Sequence, residues 1–241
     1  SEAVYVQANW APGRHLDEVA FVSHASDESG FPIAIVAYAD MLAEDVRPQL
    51  DALAQNPRVR GVRMQLHWHD NPLYRFASGP DLCREPQLQA NVDRLADYGF
   101  SFDLQVFALQ MAGAAELASA CPQVTFVLQH SGMLEDLSPE GVELWRDGMR
   151  ALAGQPNIVS KFSGLGTFLR RNDPAHIAFV VAETLALFGA ERCLFGSNFP
   201  IEKLWTTYRE LIGAHRAAVP DDAAASVFSQ TARRVYRLAQ H

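Results

Sequence analysis

Short apolar runs rich in β-branched residues alternate along the chain with segments whose apolar residues recur at helical spacing. The runs predict seven strands, at residues 4–8, 33–39, 62–68, 100–107, 124–129, 158–162 and 193–195. Parallel strands need a crossover helix at each step, so this alternation is typical of a parallel sheet, either doubly wound or closed into a barrel.

Two of the helical segments have clear start and stop signals. Residues 86–98 begin with a proline and stop at Gly99. Residues 174–188 follow the candidate N-cap Asp173 and stop at Gly189. Proline at the first turn and glycine after the last turn are the usual signals of helix ends, so we expect both segments to be helices.

The glycine loops that hold nucleotide phosphates do not occur at the strand ends. No G-x-G-x-x-G follows the first predicted strand, and no G-x-x-x-x-G-K-[ST] motif is present. The barrel is therefore favoured over a nucleotide-binding sheet. Because no linker, charge run or low-complexity tract divides the chain, we predict a single β/α barrel domain over residues 1–241.

The composition of the chain says little about its fold but more about its binding partners. Of 241 residues, 49% are hydrophobic and 20% are charged, which is ordinary for a globular protein. The 20 basic and 28 acidic residues give a formal net charge of −8, whereas nucleic-acid binding needs a basic face. We therefore expect a small-molecule partner and no nucleic acid.

The cysteines and the hydropathy pattern predict a reducing compartment and no membrane partner. Cys83, Cys121 and Cys193 are far apart and lack C-x-x-C spacing, so neither a disulfide framework nor a thiolate zinc site is indicated. No apolar stretch approaches the roughly 20 residues that span a bilayer. We expect a cytoplasmic protein, with a homodimer as the default assembly.

Polar residues occupy every second position after residue 62. Arg63, Gln65, His67 and His69 alternate with apolar residues, so a continuous strand would direct all four to one face. Two histidines at i and i+2 can ligate one metal ion, and an arginine can grip a carboxylate. The alternative is a strand that runs into a polar loop, in which the histidines are hydrogen-bonded to neighbours.

Three later strands end in polar side chains that a buried strand does not need. His130, Lys161 and Asn198 stand near the C-terminal ends of their strands, where barrel enzymes place catalytic groups. His130 can polarise a carbonyl, relay a proton or bind a metal ion, or it can be a hydrogen-bonded core residue. Lys161 needs a partner for its ammonium group, either a substrate or a structural carboxylate.

Further candidates lie beside these three residues in the sequence. Asn198 can orient a water molecule but cannot accept a proton as a base, whereas the nearby Glu202 can. Ser163 offers a hydroxyl after the sixth strand, and Arg75 and Gln105 are candidate substrate contacts.

Five motifs follow one another along the chain. They are Val-Arg-Met-Gln-Leu-His-Trp, Phe-Asp-Leu-Gln-Val-Phe, Val-Leu-Gln-His-Ser-Gly-Met, Val-Ser-Lys-Phe-Ser-Gly-Leu and Leu-Phe-Gly-Ser-Asn-Phe-Pro-Ile-Glu. The series resembles the amidohydrolase-related family, most of all its sugar-acid and pyrone-dicarboxylate lactonases. The resemblance implies a (β/α)8 TIM-like barrel that adds water to a carbonyl at its C-terminal mouth. A metal is often dispensable in that branch, while more distant relatives bind one zinc or similar divalent ion.

Two positions depart from the family pattern. Family members begin with a strand carrying His-x-His, and nothing of that kind precedes Val4. We therefore expect that the first strand is absent from this chain, through truncation or omission of an N-terminal segment. Many relatives have Asp where this chain has Asn198. If a divalent metal ion such as zinc is bound, His130 is its expected ligand.

Together, His130 and the resemblance imply a lactonase that opens an anionic sugar-acid or pyrone-carboxylate lactone. His130 would polarise the carbonyl or take a proton, Asn198 would position water, and Glu202 is a candidate base. The predicted substrate contacts are Arg63, Gln65, His67, Arg75, Gln105, Lys161 and Ser163. Two alternatives stay open, namely a metal-dependent decarboxylase or amide hydrolase on the same barrel, and a noncatalytic ligand-binding barrel.

Overall fold

All strands of the sheet are parallel, and each pairs with its neighbour in the sequence. In the computed structural model, which describes residues 2–238, the order is β1-β2-β3-β4-β5-β6-β7. The strands are Val4–Val6 (β1), Ala34–Ala37 (β2), Val59–Val62 (β3), Ser101–Leu104 (β4), Phe126–Leu128 (β5), Ile158–Phe162 (β6) and Cys193–Phe195 (β7). The sheet is curled, with β1 and β7 at its edges in the described part of the chain. The prediction of a β/α barrel that is one strand short is confirmed.

Helices connect successive strands and cover the outer face of the sheet. Their bounds are His15–Ser29 (α1), Arg47–Ala54 (α2), Pro86–Asp93 (α3), Met111–Ala120 (α4), Pro139–Ala153 (α5), Pro174–Phe188 (α6), Tyr208–Ala218 (α7), Asp221–Ala225 (α8) and Thr231–Val235 (α9). α6 begins and ends as predicted, because the Asp173 carboxylate accepts the N–H groups of Ala175 and His176 at 3.1 and 3.2 Å. Across residues 2–238, no helix combines the length and apolar character needed to cross a bilayer.

Two element boundaries differ from the predictions. The helix predicted over residues 86–98 is α3 followed by a 3-10 segment, Arg94–Tyr98. The strand predicted at 62–68 is wrong in position, since β3 ends at Val62. Buried and half-buried residues still alternate from there to Leu66. The alternation of side chains therefore continues to Leu66, beyond the residues of β3 that pair with neighbouring strands.

One side chain from the C-terminal segment fills the interior of the curled sheet. Tyr236, only 2% exposed, packs against Val36, Val127, Val159 and Leu194, which come from β2, β5, β6 and β7. The opposite faces of these strands contribute to a larger core shared with the helices. The sheet thus separates an outer apolar layer from an inner one.

Polar contacts hold the C-terminal segment against both edges of the sheet. Arg233 on α9 forms an ion pair with Glu2, which precedes β1. Arg234 donates to the backbone carbonyl of Glu191, which precedes β7. α9 therefore bridges the two ends of the sheet and positions the tyrosine that follows it.

Replacing Tyr236 by alanine should reduce the free energy of unfolding by about 3–5 kcal/mol, because the inner layer loses its largest side chain. Tyr236→Phe keeps the ring and should cost about 1 kcal/mol for the lost hydrogen bond. Urea unfolding measures both values. Leu109→Ala, at a position 75% exposed, is the control. A Tyr236→Ala variant as stable as that control would contradict the assigned packing.

Candidate active site

A buried ion pair lies above the apolar inner layer. Lys161 Nζ on β6 is 2.9 Å from Asp103 Oδ2 on β4, and both side chains are almost inaccessible to solvent. Asp103 also accepts the Gln129 amide at 2.8 Å and the Tyr236 hydroxyl at 3.3 Å. Burial lowers the pKa of Lys161, although the Asp103 carboxylate opposes this shift. The sequence allowed either a substrate or a structural carboxylate as the partner of Lys161. The structure provides the carboxylate, Asp103.

Arg63 is a second cation in this interior and lies directly after β3. Its guanidinium donates to the Gln105 side chain at 3.4 Å and to the backbone carbonyl of Gln7. Burial lowers the pKa of Arg63, while Asp103 and Glu18 act on it through space in the opposite direction. Lys161 is thus directly bonded to a carboxylate, whereas Arg63 interacts with Asp103 and Glu18 only through space.

Three buried nitrogen atoms around Arg63 have no hydrogen-bond partner among the described residues. They are Arg63 Nε, Gln7 Nε2 and His67 Nδ1. Buried polar groups are nearly always satisfied, by protein, water or ligand. The ends of β1 and β3 therefore offer unused hydrogen-bonding capacity to an oxygen-rich ligand.

His130 lies at the end of β5 in an unusual backbone conformation. Its φ of 55° is in the left-handed region, as is the φ of 52° at Asn198 after β7. Non-glycine residues rarely adopt this region, and such strain clusters at functional sites. Both residues were predicted as catalytic from their strand-end positions and from the family resemblance.

The ring of His130 is fixed by the chain that follows β6. Nδ1 lies 2.8 Å from the Ser163 hydroxyl. Gly164 has a φ of 61°, and a Cβ there would come within 2.6 Å of Nδ1, so only glycine allows this approach. Nε2 has no hydrogen-bond partner among residues 2–238, which leaves it available to a substrate.

The electrostatic surroundings keep His130 neutral. Burial, followed by the charges of Lys161 and Arg63, lowers the pKa of His130 to about 3. His67 also lowers it, although more weakly. A neutral imidazole is a hydrogen-bond donor at one nitrogen and a weak base at the other.

His67 and His69 have different environments and do not face one another. His67 packs against the rings of Phe76 and Phe107, with centroids 4.7 and 5.8 Å away. Burial and Arg63 lower its pKa to about 4. His69 accepts the Asn71 N–H at Nδ1, at 2.9 Å. The alternative of loop histidines hydrogen-bonded to their neighbours therefore describes His69, whereas His67 is held by ring packing and keeps an unpartnered Nδ1.

Glu135 is a candidate that sequence reasoning missed. It lies in the loop after β5, and its Oε1 is 3.7 Å from His69 Nε2. Burial raises the pKa of Glu135, and the neighbouring Asp136 raises it further. Perturbed acids in a cleft are functional candidates. Its loop position carries no periodic signal that could have singled it out.

Asn198 and Glu202 form a separate hydrogen-bonded group after β7. Asn198 Nδ2 donates to Glu202 Oε1 at 3.3 Å, and Thr167 donates to the same oxygen at 3.2 Å. Trp205 Nε1 donates to Oε2 at 2.6 Å. Glu202 is 0% exposed. Its carboxylate therefore organises the loops after β6 and β7, and its role as a base stays a prediction.

The remaining predicted contacts divide into two groups. Gln105 is buried beside Arg63, and Gln65 is half-buried with no hydrogen bond in the described chain. Arg75 lies outside the cluster, because its guanidinium donates to the backbone carbonyls of His69 and Asp70 at 2.9 Å. It also stacks over the Trp68 ring.

The described residues do not gather enough ligands for a catalytic metal ion. Zinc enzymes hold the ion with three protein ligands. Within residues 2–238, no group of three or more His, Cys, Asp or Glu side chains is placed to hold one. The expected zinc ligand His130 has no second and third ligand beside it there. The described residues therefore do not form a zinc site by themselves.

The family model described as amidohydrolase matches residues 3–238. The chain belongs to the amidohydrolase family. This confirms the resemblance drawn from the five motifs. The match extends over all seven strands of this amidohydrolase and the helices between them.

Related bacterial proteins include one of known activity. The chain is 34% identical over 215 residues to the uncharacterized protein y4mH of Sinorhizobium fredii, covering 89% of this chain and 72% of that protein. It is 25% identical over 232 residues to the L-fucono-1,5-lactonase of Burkholderia ambifaria. That alignment covers 92% of this chain and 76% of the lactonase.

Solved structures support the fold. An amidohydrolase from Burkholderia multivorans, crystallised with bound zinc, superimposes with a TM-score of 0.82 at 23% identity. The superposition covers 98% of this chain and 83% of the other. At this identity the likeness concerns the β/α architecture.

The low pKa of His67 should make the stability of this amidohydrolase sensitive to acid. In the unfolded state, His67 binds a proton below its ordinary pKa of 6.5. In the folded state, it binds that proton only near pH 4. This contribution is complete above pH 6.5 and is lost towards pH 4, at up to about 1.4 kcal/mol per pH unit.

Urea unfolding at pH 7, 6 and 5 checks this expectation. His67→Gln should show a shallower loss of stability than the wild type, and the exposed-surface control His24→Gln should match the wild type. An unchanged slope in His67→Gln would contradict the buried neutral state.

Proposed function

We propose that this amidohydrolase is a lactonase that opens an anionic sugar-acid or pyrone-carboxylate lactone. Support comes from its family and from its similarity to an L-fucono-1,5-lactonase. The observation that carries the proposal is the pair of unpartnered buried donors at Arg63 and Gln7, next to a cation that has no carboxylate bonded to it.

In this proposal the substrate carboxylate binds beside Arg63. Its oxygens would accept hydrogen bonds from Arg63 Nε and Gln7 Nε2, the two donors without partners at the ends of β3 and β1. Lys161 holds Asp103 with one of its three donor hydrogens and can direct another to the lactone ring. The anion then balances the second interior cation.

His130 polarises the lactone carbonyl as a neutral donor. Its pKa of about 3 makes it a poor base at neutral pH. When the Ser163 hydroxyl donates to Nδ1, the ring proton lies on Nε2, the free nitrogen. That N–H stabilises the oxyanion that develops as water adds to the carbonyl carbon. Asn198 orients the water through its amide.

A proton-release screen at neutral pH tests the activity. The 241-residue protein is assayed against five- and six-membered sugar-acid lactones and pyrone carboxylates, with and without a chelator. His130→Ala should lose activity by about 100-fold or more, because the carbonyl loses its donor. Circular dichroism verifies the fold of the variant, and His24→Ala is the surface-histidine control.

Each result of the screen has a different meaning. Chelator-insensitive turnover that His130→Ala loses supports the lactonase. Turnover lost on chelation would favour a metal-dependent hydrolase or decarboxylase instead. Binding of a carboxylated lactone without turnover would favour a ligand-binding barrel. Full activity in His130→Ala would overturn the assignment of that residue.

Arg63→Met should raise KM for a carboxylated lactone by roughly 10- to 100-fold, the value of a hydrogen bond to a charged group. KM for the matching uncharged lactone should change little. Initial rates over a range of substrate concentrations measure both. Arg63→Lys keeps the charge and serves if the methionine variant is unstable, and Arg216→Met is the exposed control. An equal effect on both substrates would contradict carboxylate binding.

A further inference from the structure

We propose that Glu135, oriented by His69, is the general base that takes a proton from the attacking water. The inference rests on the proposed lactone hydrolysis and supplies the group which that reaction still lacks. Neither Asn198, an amide, nor His130, a neutral and weakly basic imidazole, can accept the proton effectively.

The hydrogen bonds of His69 determine where its own proton lies. The backbone N–H of Asn71 donates to Nδ1 at 2.9 Å, so Nδ1 must present its lone pair. The neutral ring therefore carries its hydrogen on Nε2, which lies 3.7 Å from Glu135 Oε1. His69 is thus a donor directed at the carboxylate, and a positioning residue for it.

The Glu135–His69 pair is linked to His130 through two aromatic neighbours. His69 packs edge-on against Phe107, with centroids 5.1 Å apart, and His67 packs against the same ring. The His67 ring is near enough to His130 to influence its pKa. Glu135 itself follows the turn that carries His130. These contacts connect the pair to the residue that polarises the carbonyl in the proposed function.

Other carboxylates of the site are already committed. Glu18 is buried and accepts the Tyr5 hydroxyl and the Ala8 N–H. Asp103 is bonded to Lys161, Gln129 and Tyr236. Glu202 is fully buried, with both oxygens accepting hydrogen bonds. Asp136 is exposed, and it accepts the Ser138 N–H.

Glu135 differs from all of these. Its side chain is 17% exposed, and His69 is the one side-chain partner that the described residues give it. Its partly exposed carboxylate can therefore meet water.

The surroundings of Glu135 also suit a base. Burial is the main cause that raises its pKa; a hydrogen bond from its own backbone acts in the opposite direction, and the adjacent Asp136 adds to the rise. The group that faces it from the loop after β3 is His69. A carboxylate with a raised pKa binds a proton more strongly, which favours proton transfer from water.

The proposed step conserves atoms and charge. The water oxygen bonds to the lactone carbonyl carbon as one of its protons moves to Glu135. The tetrahedral intermediate then collapses, the bond between that carbon and the ring oxygen breaks, and Glu135 returns the proton to the ring oxygen. The product is a hydroxy acid, whose carboxyl proton passes to solvent.

The test compares Glu135→Gln with the matched control Glu140→Gln, an exposed residue at the start of α5. On a lactone that the wild type hydrolyses, Glu135→Gln should lower kcat by roughly 10²- to 10⁴-fold with little change in KM. Glu135→Asp should restore part of the rate. The acid limb of the wild-type pH profile should disappear in Glu135→Gln, because ionisation of Glu135 produces that limb.

His69 variants separate positioning from packing. His69→Phe keeps the aromatic contacts but removes the Nε2 donor that lies 3.7 Å from Glu135 Oε1, so the carboxylate loses a nearby polar group that favours its charged form. Its acid limb should move to higher pH with a reduced kcat. His69→Gln retains an N–H donor and should restore both values towards the wild type.

The outcomes distinguish this inference from the proposed function. Wild-type turnover with unchanged kcat and pH profile in Glu135→Gln would overturn the base assignment and leave the lactonase standing. A silent wild type across the whole panel would overturn the lactonase and the base together. Loss of the acid limb in Glu135→Gln, but not in Glu140→Gln, is the supporting result.

Discussion

The contact between Lys161 and Asp103 is the constraint on which the interior of this amidohydrolase depends. Removing two charges from water costs several kcal/mol per ion unless their remaining hydrogen-bonding capacity is satisfied. Asp103 meets that requirement by also accepting from Gln129 and Tyr236. Strands β4 and β6, the turn after β5 and the segment after α9 therefore converge on one carboxylate, which fixes their relative positions.

The same arrangement explains why the mouth suits an anion. Asp103 is fully engaged, so the second cation, Arg63, has no carboxylate bonded to it. Burial, together with the charges of Lys161 and Arg63, keeps His130 uncharged. In the proposed mechanism the histidine donates a hydrogen bond, while Glu135 takes the proton. A bound anion would bring a carboxylate into direct contact with Arg63.

Local patterns in the sequence predicted most of the fold and part of the site. Seven strands and the ends of α6 followed from apolar periodicity and from caps such as Asp173, because both signals act within a few residues. The position of β3 was wrong, since alternation marks a side-chain period and not the pairing partner. Asp103 and Tyr236 were not predicted as partners, because they are 133 positions apart. Glu135 was missed because loop geometry alone brings it to His69.

The inward position of Tyr236 has a consequence for the order in which the protein forms during synthesis. Its codon is read after those of all seven strands. Domains generally fold as units during synthesis. The inner layer is therefore completed only after the chain has been made as far as Tyr236. Until Tyr236 is in place, water can reach Asp103 and Lys161 from the side that this tyrosine covers, and the interior of the curled sheet lacks its largest side chain.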